Sequence, residues 1–251
     1  MQRRNVPDSE NKLVILYALN RLGPATSMQL LQFLVEMDLM NYFAMQLNLS
    51  ELEEQNQVAE RVHPLGPLLV VTESGAYTLG AFDHRIPASR RALIDREAPA
   101  WHERFRTEQQ TLAESFPLSD GRLCIRLRLL EADTALMDLL LTLGGASMTC
   151  LQRRWRGVAQ QVYDAVTSAL GADFDADVLP EPLPAAATLQ QVARAEWLLS
   201  LSDPVERPTM TLMLPLPEEQ LAYHYASRWP TQGPALRKRI LALLEADAPE
   251  K

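Results

Sequence analysis

Apolar residues in the N-terminal part of the chain recur at the spacing of α-helices. This spacing predicts a first helix over residues 10–22, a second helix that begins after Thr26, and a third helix over residues 41–55. Gly23-Pro24 ends the first of these helices. In the third helix, the positions predicted to face inward are Phe43, Met45, Leu49 and Leu52.

Two short strand-like segments follow the three helices, at residues 58–63 and 68–72. The sequence between them, Pro64 to Pro67, suits a tight connection, so the two segments predict a β-hairpin. A fourth helix is predicted over residues 73–82. Three helices, a two-stranded hairpin and a further helix are typical of a winged helix-turn-helix domain, which we assign to residues 1–87.

The C-terminal part of the chain contains a pattern that occurs twice. Residues 122–131 and 135–143 predict two strands, and a long amphipathic helix follows them and ends at Gly171. The same order of elements returns, without a gap, when the numbering is shifted by 74 residues. With this shift, Arg154-Trp155 matches Arg228-Trp229, which favours an internal duplication.

The predicted C-terminal domain covers residues 119–251 and contains two β-β-α units, at residues 120–173 and 194–247. Two such units most simply form one four-stranded antiparallel sheet with both helices on one face, because a single hairpin with one helix is only marginally stable. The predicted fold class is therefore α+β. In the second unit, Pro230 and Pro234 predict a break in the helix.

Residues 88–118, between the two domains, predict a helical connector that Pro99 ends or kinks. Regulators with this architecture act as two-fold dimers, and a helix after the hairpin often forms the dimer arm. Trp101 and Phe105 are therefore candidates for a dimer interface. The alternative is that both side chains pack between the two domains. Residues 172–188 are acidic and rich in Pro and Ala, which is typical of a surface linker.

Charge is distributed unevenly along the chain, whose net charge is −8. Residues 21–60 contain one basic and six acidic residues, whereas residues 61–106 contain seven basic and five acidic residues. Any surface that faces phosphates therefore has to use the hairpin and the segment after it. The acidic balance of the whole chain argues against a general binder of polyanions.

Several short strings support a family resemblance. The more specific strings are Asn41-Tyr42-Phe43 and Thr72-Glu73-Ser74-Gly75. The others are Asn11-Lys12-Leu13, Gln46, Leu49-Ser50-Glu51-Leu52 and Arg85-Ile86-Pro87. Over residues 9–170 the chain resembles an uncharacterised family of bacterial winged-helix proteins, a domain of unknown function that is similar to PadR-like and MarR-like transcriptional regulators. The resemblance implies a winged-helix fold and a regulatory role, and it brings no defined ligand or operator.

In winged helices the third helix enters the major groove, and the hairpin and flanking segments contact phosphates. We therefore predict a homodimeric, regulator-like protein that binds double-stranded DNA, with a C-terminal domain that senses a small-molecule effector or mediates assembly. The candidates for base contacts are Asn41, Tyr42, Gln46, Asn48 and Ser50. The candidates for phosphate contacts are Arg61, His63, Arg85, Arg90 and Arg91.

Three parts of the chain have alternative interpretations. The third helix contains Glu51, Glu53 and Glu54 and no cation, so the winged helix can also be a scaffold that binds a protein and does not bind DNA. The arginines after the hairpin can belong to a solvated helix face. In the C-terminal domain, Arg126 and Arg128 can either receive an anionic ligand on an exposed sheet face or pair with acidic residues of neighbouring strands.

The sequence contains no pattern typical of an enzyme or a metal site. It has no P-loop, no dinucleotide-binding glycine pattern and no nucleophile elbow, and its four histidines are widely separated. Cys124 and Cys150 form no CxxC pair and are predicted to be buried, reduced thiols. We therefore expect no catalytic activity, no cofactor and no metal. Without a signal-peptide region or a membrane-spanning apolar run, the sequence predicts a cytoplasmic protein with no membrane partner.

Overall fold

The computed structural model describes residues 8–132, 134–143, 148–176, 182–203 and 209–246 of the chain. These residues form a mixed α+β protein, as predicted. The chain divides after Gln109 into two compact units, each with a hydrophobic core of its own. The division therefore lies inside the predicted connector and not at either of its ends.

Helices and one hairpin make up the N-terminal unit. Its elements are α1 (Asp8–Leu22), α2 (Ser27–Glu36), α3 (Tyr42–Glu54), β1 (Val58–Arg61), β2 (Leu68–Val71), α4 (Glu73–Phe82) and α5 (Ala88–Gln110). Side-chain caps begin three of the helices. Thr26 forms a capping box with Gln29 at α2, and the side chains of Asn41 and Thr72 accept backbone N–H bonds at α3 and α4. These elements lie where the hydrophobic pattern and the capping residues predict them.

Gly75 allows α4 to lie close to the turn that precedes β1. A β-carbon at this position would lie 2.1 Å from the backbone oxygen of Gln57, so no other residue fits without movement of the backbone. Thr72 stabilises the same approach, because its hydroxyl donates to the Asn56 carbonyl at 2.6 Å and its N–H donates to the Gln57 carbonyl at 3.1 Å. The string from Thr72 to Gly75 thus joins the hairpin to α4.

Helix α5 is part of the core of the N-terminal unit and does not form a separate connector. Its buried residues Ile94, Ala98, Trp101 and Phe105 lie in the same cluster as α1 and Phe33. The Trp101 ring makes edge contacts with both phenylalanine rings, at centroid distances of 5.6 Å and 5.5 Å. The prediction that Trp101 and Phe105 anchor a dimer is wrong, because both rings are buried within their own unit.

Six strands and two helices make up the described part of the C-terminal unit. They are β3 (Thr111–Pro117), β4 (Leu123–Glu131), β5 (Thr134–Leu143), α6 (Met148–Gly171), β6 (Ala187–Ala193), β7 (Glu196–Ser202), β8 (Met210–Leu216) and α7 (Glu219–Glu245). The strands form one antiparallel sheet in the order β3-β4-β5-β8-β7-β6. The predicted count of four strands is wrong, because β3 and β6 add an edge strand at each side. The segment that forms β3 was predicted as helix.

The core of the C-terminal unit lies between the sheet and its two helices. Alternate residues of β4, β5, β7 and β8 are buried in one cluster with side chains of α6 and α7. The largest of these helix side chains are Trp155 and Trp229. Both helices therefore cover the same face of a single sheet, which agrees with the predicted arrangement of the two helices.

The two halves of the sheet have closely matching registers. Ala113 pairs with Leu127 between β3 and β4, and the residues 74 positions later, Ala187 and Leu201, pair in the same way between β6 and β7. Between the next two strands the offset changes to 73, since Leu127 pairs with Leu139 but Leu201 pairs with Leu212. The prediction of an ungapped match is therefore wrong by one residue in β8. With the corrected offset, the buried residues Met137, Leu139 and Leu141 match Met210, Leu212 and Leu214.

Prolines occur inside two helices without ending them. Helix α7 continues through Pro230 and Pro234, so the predicted break is wrong, and α5 continues through Pro99, so this proline does not end the helix. All three prolines are exposed, and Pro230 and Pro234 are four residues apart on one side of α7. The backbone N–H bonds that these prolines cannot make are therefore lost on the solvent side of the helix, where water can satisfy the carbonyls.

Candidate functional site

The outward side of α3 is apolar in the first half of the helix. Tyr42, Phe43 and Leu47 are 51%, 81% and 57% exposed, and we call these three residues the α3 surface. The rings of Tyr42 and Phe43 meet edge to face with 5.5 Å between centroids, and Leu47 lies one turn further along the helix from Phe43. The prediction that Phe43 faces inward is wrong. Phe43 and Met45 are about 200° apart on a helix, so burial of Met45 directs Phe43 outward.

The five candidates for base contacts do not share one surface. Asn41, Tyr42 and Ser50 are exposed, and Gln46 is half-buried. Asn48 is 1% exposed, and its side-chain amide donates to the Ala44 carbonyl of the same helix at 2.7 Å. The prediction that Asn48 faces outward is therefore wrong. The side chain of Asn41 already accepts the Ala44 N–H bond that begins α3, at 2.9 Å.

The polar residues around α3 are mainly acidic. Lys12 of α1 pairs with Glu51 at 2.5 Å, which neutralises one of the three glutamates at the end of the helix. Partial burial raises the pKa of Glu53, and the nearby carboxylate of Glu60 raises it further. This pair of acids disfavours the approach of a further negative charge. The surroundings of α3 therefore suit a cationic partner better than a phosphate backbone.

Most cations of the N-terminal unit are held by carboxylates. Arg90 pairs with Glu10 at 3.1 Å, and Arg91 pairs with Asp83 at 3.7 Å, so both predicted phosphate contacts already have anionic partners. Arg21, Arg96, Arg104 and Arg106 also pair with carboxylates. A phosphate would have to compete with these ion pairs. No local pattern in the sequence predicts the pair between Arg90 and Glu10, because its partners are 80 residues apart.

The remaining phosphate candidates lie on and after the hairpin. Arg61 and Arg85 are exposed, and the Arg85 guanidinium lies 6.0 Å from the centroid of the Phe82 ring. His63 is buried, and its Nδ1 accepts a hydrogen bond from the Leu65 N–H at 3.1 Å. The predicted exposure of His63 on the hairpin is therefore wrong, because the imidazole shapes the turn that joins β1 and β2.

Charged residues pair with one another on the outer face of the sheet, which is the face opposite α6 and α7. Arg126 binds both carboxylate oxygens of Asp138 through Nε, at 3.0 Å and 2.9 Å, and Arg128 binds Glu114 at 2.7 Å. The hydrogen bond to Asp138 raises the pKa of the Arg126 guanidinium above its usual value. The alternative in which Arg126 and Arg128 pair with acids of neighbouring strands is thus confirmed. Neither side chain needs an anionic ligand to balance its charge.

Two sets of hydrogen bonds occur at equivalent positions in the two halves of the C-terminal unit. The Trp155 indole donates to the Arg128 carbonyl at 3.2 Å, and the Trp229 indole donates to the Ser202 carbonyl at 2.7 Å. The two donors are 74 residues apart in the sequence, and so are the two acceptors. In addition, Arg154 Nε donates to the Leu243 carbonyl at 3.2 Å, and Arg228 Nε donates to the Ala169 carbonyl at 3.1 Å.

The arginine bonds are reciprocal, because Ala169 and Leu243 are themselves 74 residues apart. Arg154 near the start of α6 reaches the end of α7, and Arg228 of α7 reaches the end of α6. Each guanidinium thus binds a carbonyl in the last turns of the other helix, where the helix carries a partial negative charge.

Metal-binding and membrane-spanning features are not found in the described part of the chain. No group of three or more His, Cys, Asp or Glu side chains among the described residues is placed to hold a metal ion. None of the described helices combines the length and the apolar character needed to cross a membrane. Both cysteines are free thiols, and burial raises the pKa of Cys124. Cys150 is exposed, so the prediction that both thiols are buried is wrong for this residue.

A protein-family model described as "Domain of unknown function (DUF4364)" matches residues 11–170. The match ends in the last turn of α6, so that β6, β7, β8 and α7 lie outside it. No curated protein and no solved structure matches the chain. The similarity to PadR-like and MarR-like regulators stays a prediction. Because the match covers most of the chain and agrees with the predicted uncharacterised family, the protein belongs to the family described as domain of unknown function DUF4364.

Proposed function

We propose that the N-terminal unit is a winged-helix module of a regulator-like protein and that it binds a protein partner through the α3 surface. The observation that carries this proposal is a cluster of three exposed apolar side chains on the outward side of α3. The element order supports this interpretation, since α2 and α3 lie in the positions of a helix-turn-helix and the hairpin of β1 and β2 lies in the position of a wing.

The energetics of the α3 surface favour a protein over a nucleic acid. The exposed rings of Tyr42 and Phe43 contribute little to the core of their unit, and burial of one such side chain is worth about 1.5–3 kcal/mol. Buried aromatic anchors dominate the affinity of many protein interfaces. A phosphate backbone offers no apolar surface that could bury these rings, and α3 has no cation that could neutralise a phosphate.

Double-stranded DNA is the second candidate. It is favoured by the exposed positions of Arg61 and Arg85 on and after the hairpin, together with the hydroxyl groups of Tyr42 and Ser50 on α3. Under this hypothesis the aromatic side chains would contact bases or sugars, and the two arginines would neutralise phosphates. The ion pairs of Arg90 and Arg91 leave fewer cations for this role than the sequence predicted.

Site-specific photocrosslinking tests the protein-binding proposal. A photoreactive phenylalanine derivative at position 43, in the full chain and in the cell that makes it, should form a discrete adduct with a protein. Leu47→Glu in the same chain should abolish the adduct, because it places a charge in the contact. The matched control carries the derivative at Tyr77, which is equally exposed on α4 and should form no such adduct. Equal adducts at both positions, or none at position 43, would overturn the proposal.

A salt titration with random duplex DNA separates the two candidates. If α3 binds a protein, fluorescence anisotropy should show no binding of the duplex even at about 20 mM salt, where attraction to phosphates is strongest. Binding that weakens steeply with salt would support the DNA candidate instead. In that case Arg61→Ala and Arg85→Ala should each reduce the salt slope by about 1, and Phe43→Ser should have a much smaller effect on the slope.

For the C-terminal unit we propose an internally duplicated domain. The repeated unit is strand-strand-strand-helix, which adds one strand to each of the predicted β-β-α units. The support comes from the matching registers, the equivalent indole bonds and the reciprocal arginine bonds. The ion pairs of Arg126 and Arg128 remove the argument for an anionic effector on the outer face of the sheet.

A further inference from the structure

The centre of the C-terminal sheet has the geometry of a two-fold contact between like units. Strands β5 and β8 are antiparallel neighbours, and Leu139 lies directly opposite Leu212. These two leucines are also equivalent residues of the two halves, as the registers with Leu127 and Leu201 establish. A residue that faces its own equivalent across antiparallel strands marks the position of a two-fold axis.

Contacts on both sides of this axis obey the same symmetry. In an isologous contact, if residue i of one unit binds residue j of the other, then j of the first unit also binds i of the second. Arg154 binds Leu243 and Arg228 binds Ala169, which is this relation between residues that are 74 positions apart. The helices α6 and α7 therefore meet as two subunits of a symmetric dimer would meet.

The end of the family match separates the two repeated units independently of the sheet registers. The match ends at Leu170, which is the last buried residue of α6, and thus covers one strand-strand-strand-helix unit and none of the second. A single unit would leave β5 as an open edge strand and would expose the apolar side of α6. Exposed edges of this kind pair readily with another chain. In this chain β8 occupies that edge and α7 covers α6.

We propose that β6, β7, β8 and α7 occupy the place of a second subunit, so that the chain acts as a monomer and presents one α3 surface to its partner. This proposal rests on the duplication proposed above and is independent of whether α3 binds protein or DNA. It replaces the homodimer that the sequence predicted. One chain should therefore bind one partner molecule, at a site on the partner that has no two-fold symmetry.

The mass of the full-length protein tests the monomer directly. Multi-angle light scattering should give a constant mass of 28.2 kDa as the concentration rises from about 1 to 100 μM. A doubled mass anywhere in that range would overturn the proposal. If Phe43→Ser with Leu47→Ser then restored the monomer, the partner of the α3 surface would be a second copy of the chain. That result would overturn the monomer while supporting the α3 surface as a binding site.

Matched substitutions test the two-fold equivalence separately. Arg154→Ala and Arg228→Ala should each lower the melting temperature by about 2–6 °C, because each removes one of the two equivalent bonds to a helix end. The loss should be the larger for Arg228→Ala, since Arg228 also donates to the Ala172 carbonyl at 3.0 Å and pairs with Asp173 at 3.5 Å. Arg153→Ala is the control, since Arg153 is an exposed neighbour on α6 and should have little effect. The mass should remain that of the monomer in all three variants. An effect of only one of the two arginines would overturn the equivalence, whatever the mass.

Discussion

The two halves of the C-terminal sheet agree in their interiors and differ on their outer face. Towards the helices, Met137, Leu139 and Leu141 of β5 recur as the same residue types in β8. On the opposite face, the charged residues of the first half have hydroxyl residues as their equivalents. Glu114, Arg126, Arg128 and Asp138 correspond to Thr188, Ser200, Ser202 and Thr211.

The cross-strand contacts of the outer face differ between the halves in their partners as well as in their chemistry. Arg128 lies opposite Asp138 but binds Glu114, whereas at the equivalent pair the Ser202 and Thr211 hydroxyls are 3.2 Å apart. Interior positions require a matching shape because they are close-packed, whereas the outer face accepts either ion pairs or hydroxyl pairs. The difference indicates that packing against α6 and α7 constrains this sheet more than the polarity of its outer face does.

The largest expected effects are those of the two tryptophans. Trp155→Ala and Trp229→Ala each remove a buried indole and its bond to a strand carbonyl, so each should destabilise the protein by about 3–5 kcal/mol. Chemical denaturation followed by circular dichroism measures both. The comparison of the two halves predicts similar values, and a loss more than twice as large in one half would contradict it. Trp155→Phe and Trp229→Phe, which keep most of the packing, should be milder.

The outer face should respond differently in the two halves. Arg126→Ala leaves the Asp138 carboxylate largely buried without its cation and should cost about 1–2 kcal/mol. Ser200→Ala, at the equivalent position, should cost less than about 0.5 kcal/mol because no charge is left unpaired. The difference in denaturation midpoint between the two variants is the measurement. Equal losses of stability would show that the ion pair stabilises the sheet no more than the hydroxyl residues do.

Replacement of the two prolines of α7 should stabilise the protein. Their equivalents in α6 are Arg156 and Gln160, which are ordinary helix residues. Pro230→Ala with Pro234→Ala restores two backbone N–H donors and should stabilise the protein by about 1 kcal/mol, because a proline inside a helix costs up to about 3 kcal/mol. A thermal melt should show an upward shift. The control is Gln161→Ala on the exposed side of α6, which should leave the melt nearly unchanged.

The smallest effect concerns a carboxylate without a favourable partner. Asp138 lies against a cation, whereas Glu53 is partly buried near Glu60, and its pKa is raised. A raised pKa means that the charged form is disfavoured in the folded protein, and this penalty applies at neutral pH and disappears as the pH falls through the raised pKa. Glu53→Gln should therefore raise the melting temperature by about 1 °C at pH 7. The gain should vanish in acid, and a gain that is the same at all pH values would rule out charge as its cause.

Much of the N-terminal unit could be predicted because its signals are local. Thr26, Asn41 and Thr72 cap the helices that follow them, and the apolar spacing locates α1 to α4. Phe43 is aromatic, which favours the core, but Met45 already defines the buried side of α3. Asn48 carries an amide, which favours the surface, but this amide binds a carbonyl of its own helix.

The parts of the structure that the sequence did not reveal depend on contacts between distant residues. Edge strand β6 carries mainly exposed side chains on both faces, so it lacks the alternation that identifies a strand. Likewise, β3 follows α5 directly, and its charged and polar residues extend the helical pattern. Burial of Trp101 and the pairing of Arg90 with Glu10 are tertiary contacts, and neither has a local signal.

The covalent link between the two halves has a consequence for inheritance. In a dimer of identical chains every substitution occurs twice, so a change that one subunit tolerates but its partner does not is eliminated. When both halves belong to one polypeptide, each can mutate alone. Pro230 and Pro234 of α7 and the outer-face hydroxyl residues of the second half have other residue types at the equivalent positions of the first half. A single chain of this kind can therefore specialise one half without changing the other.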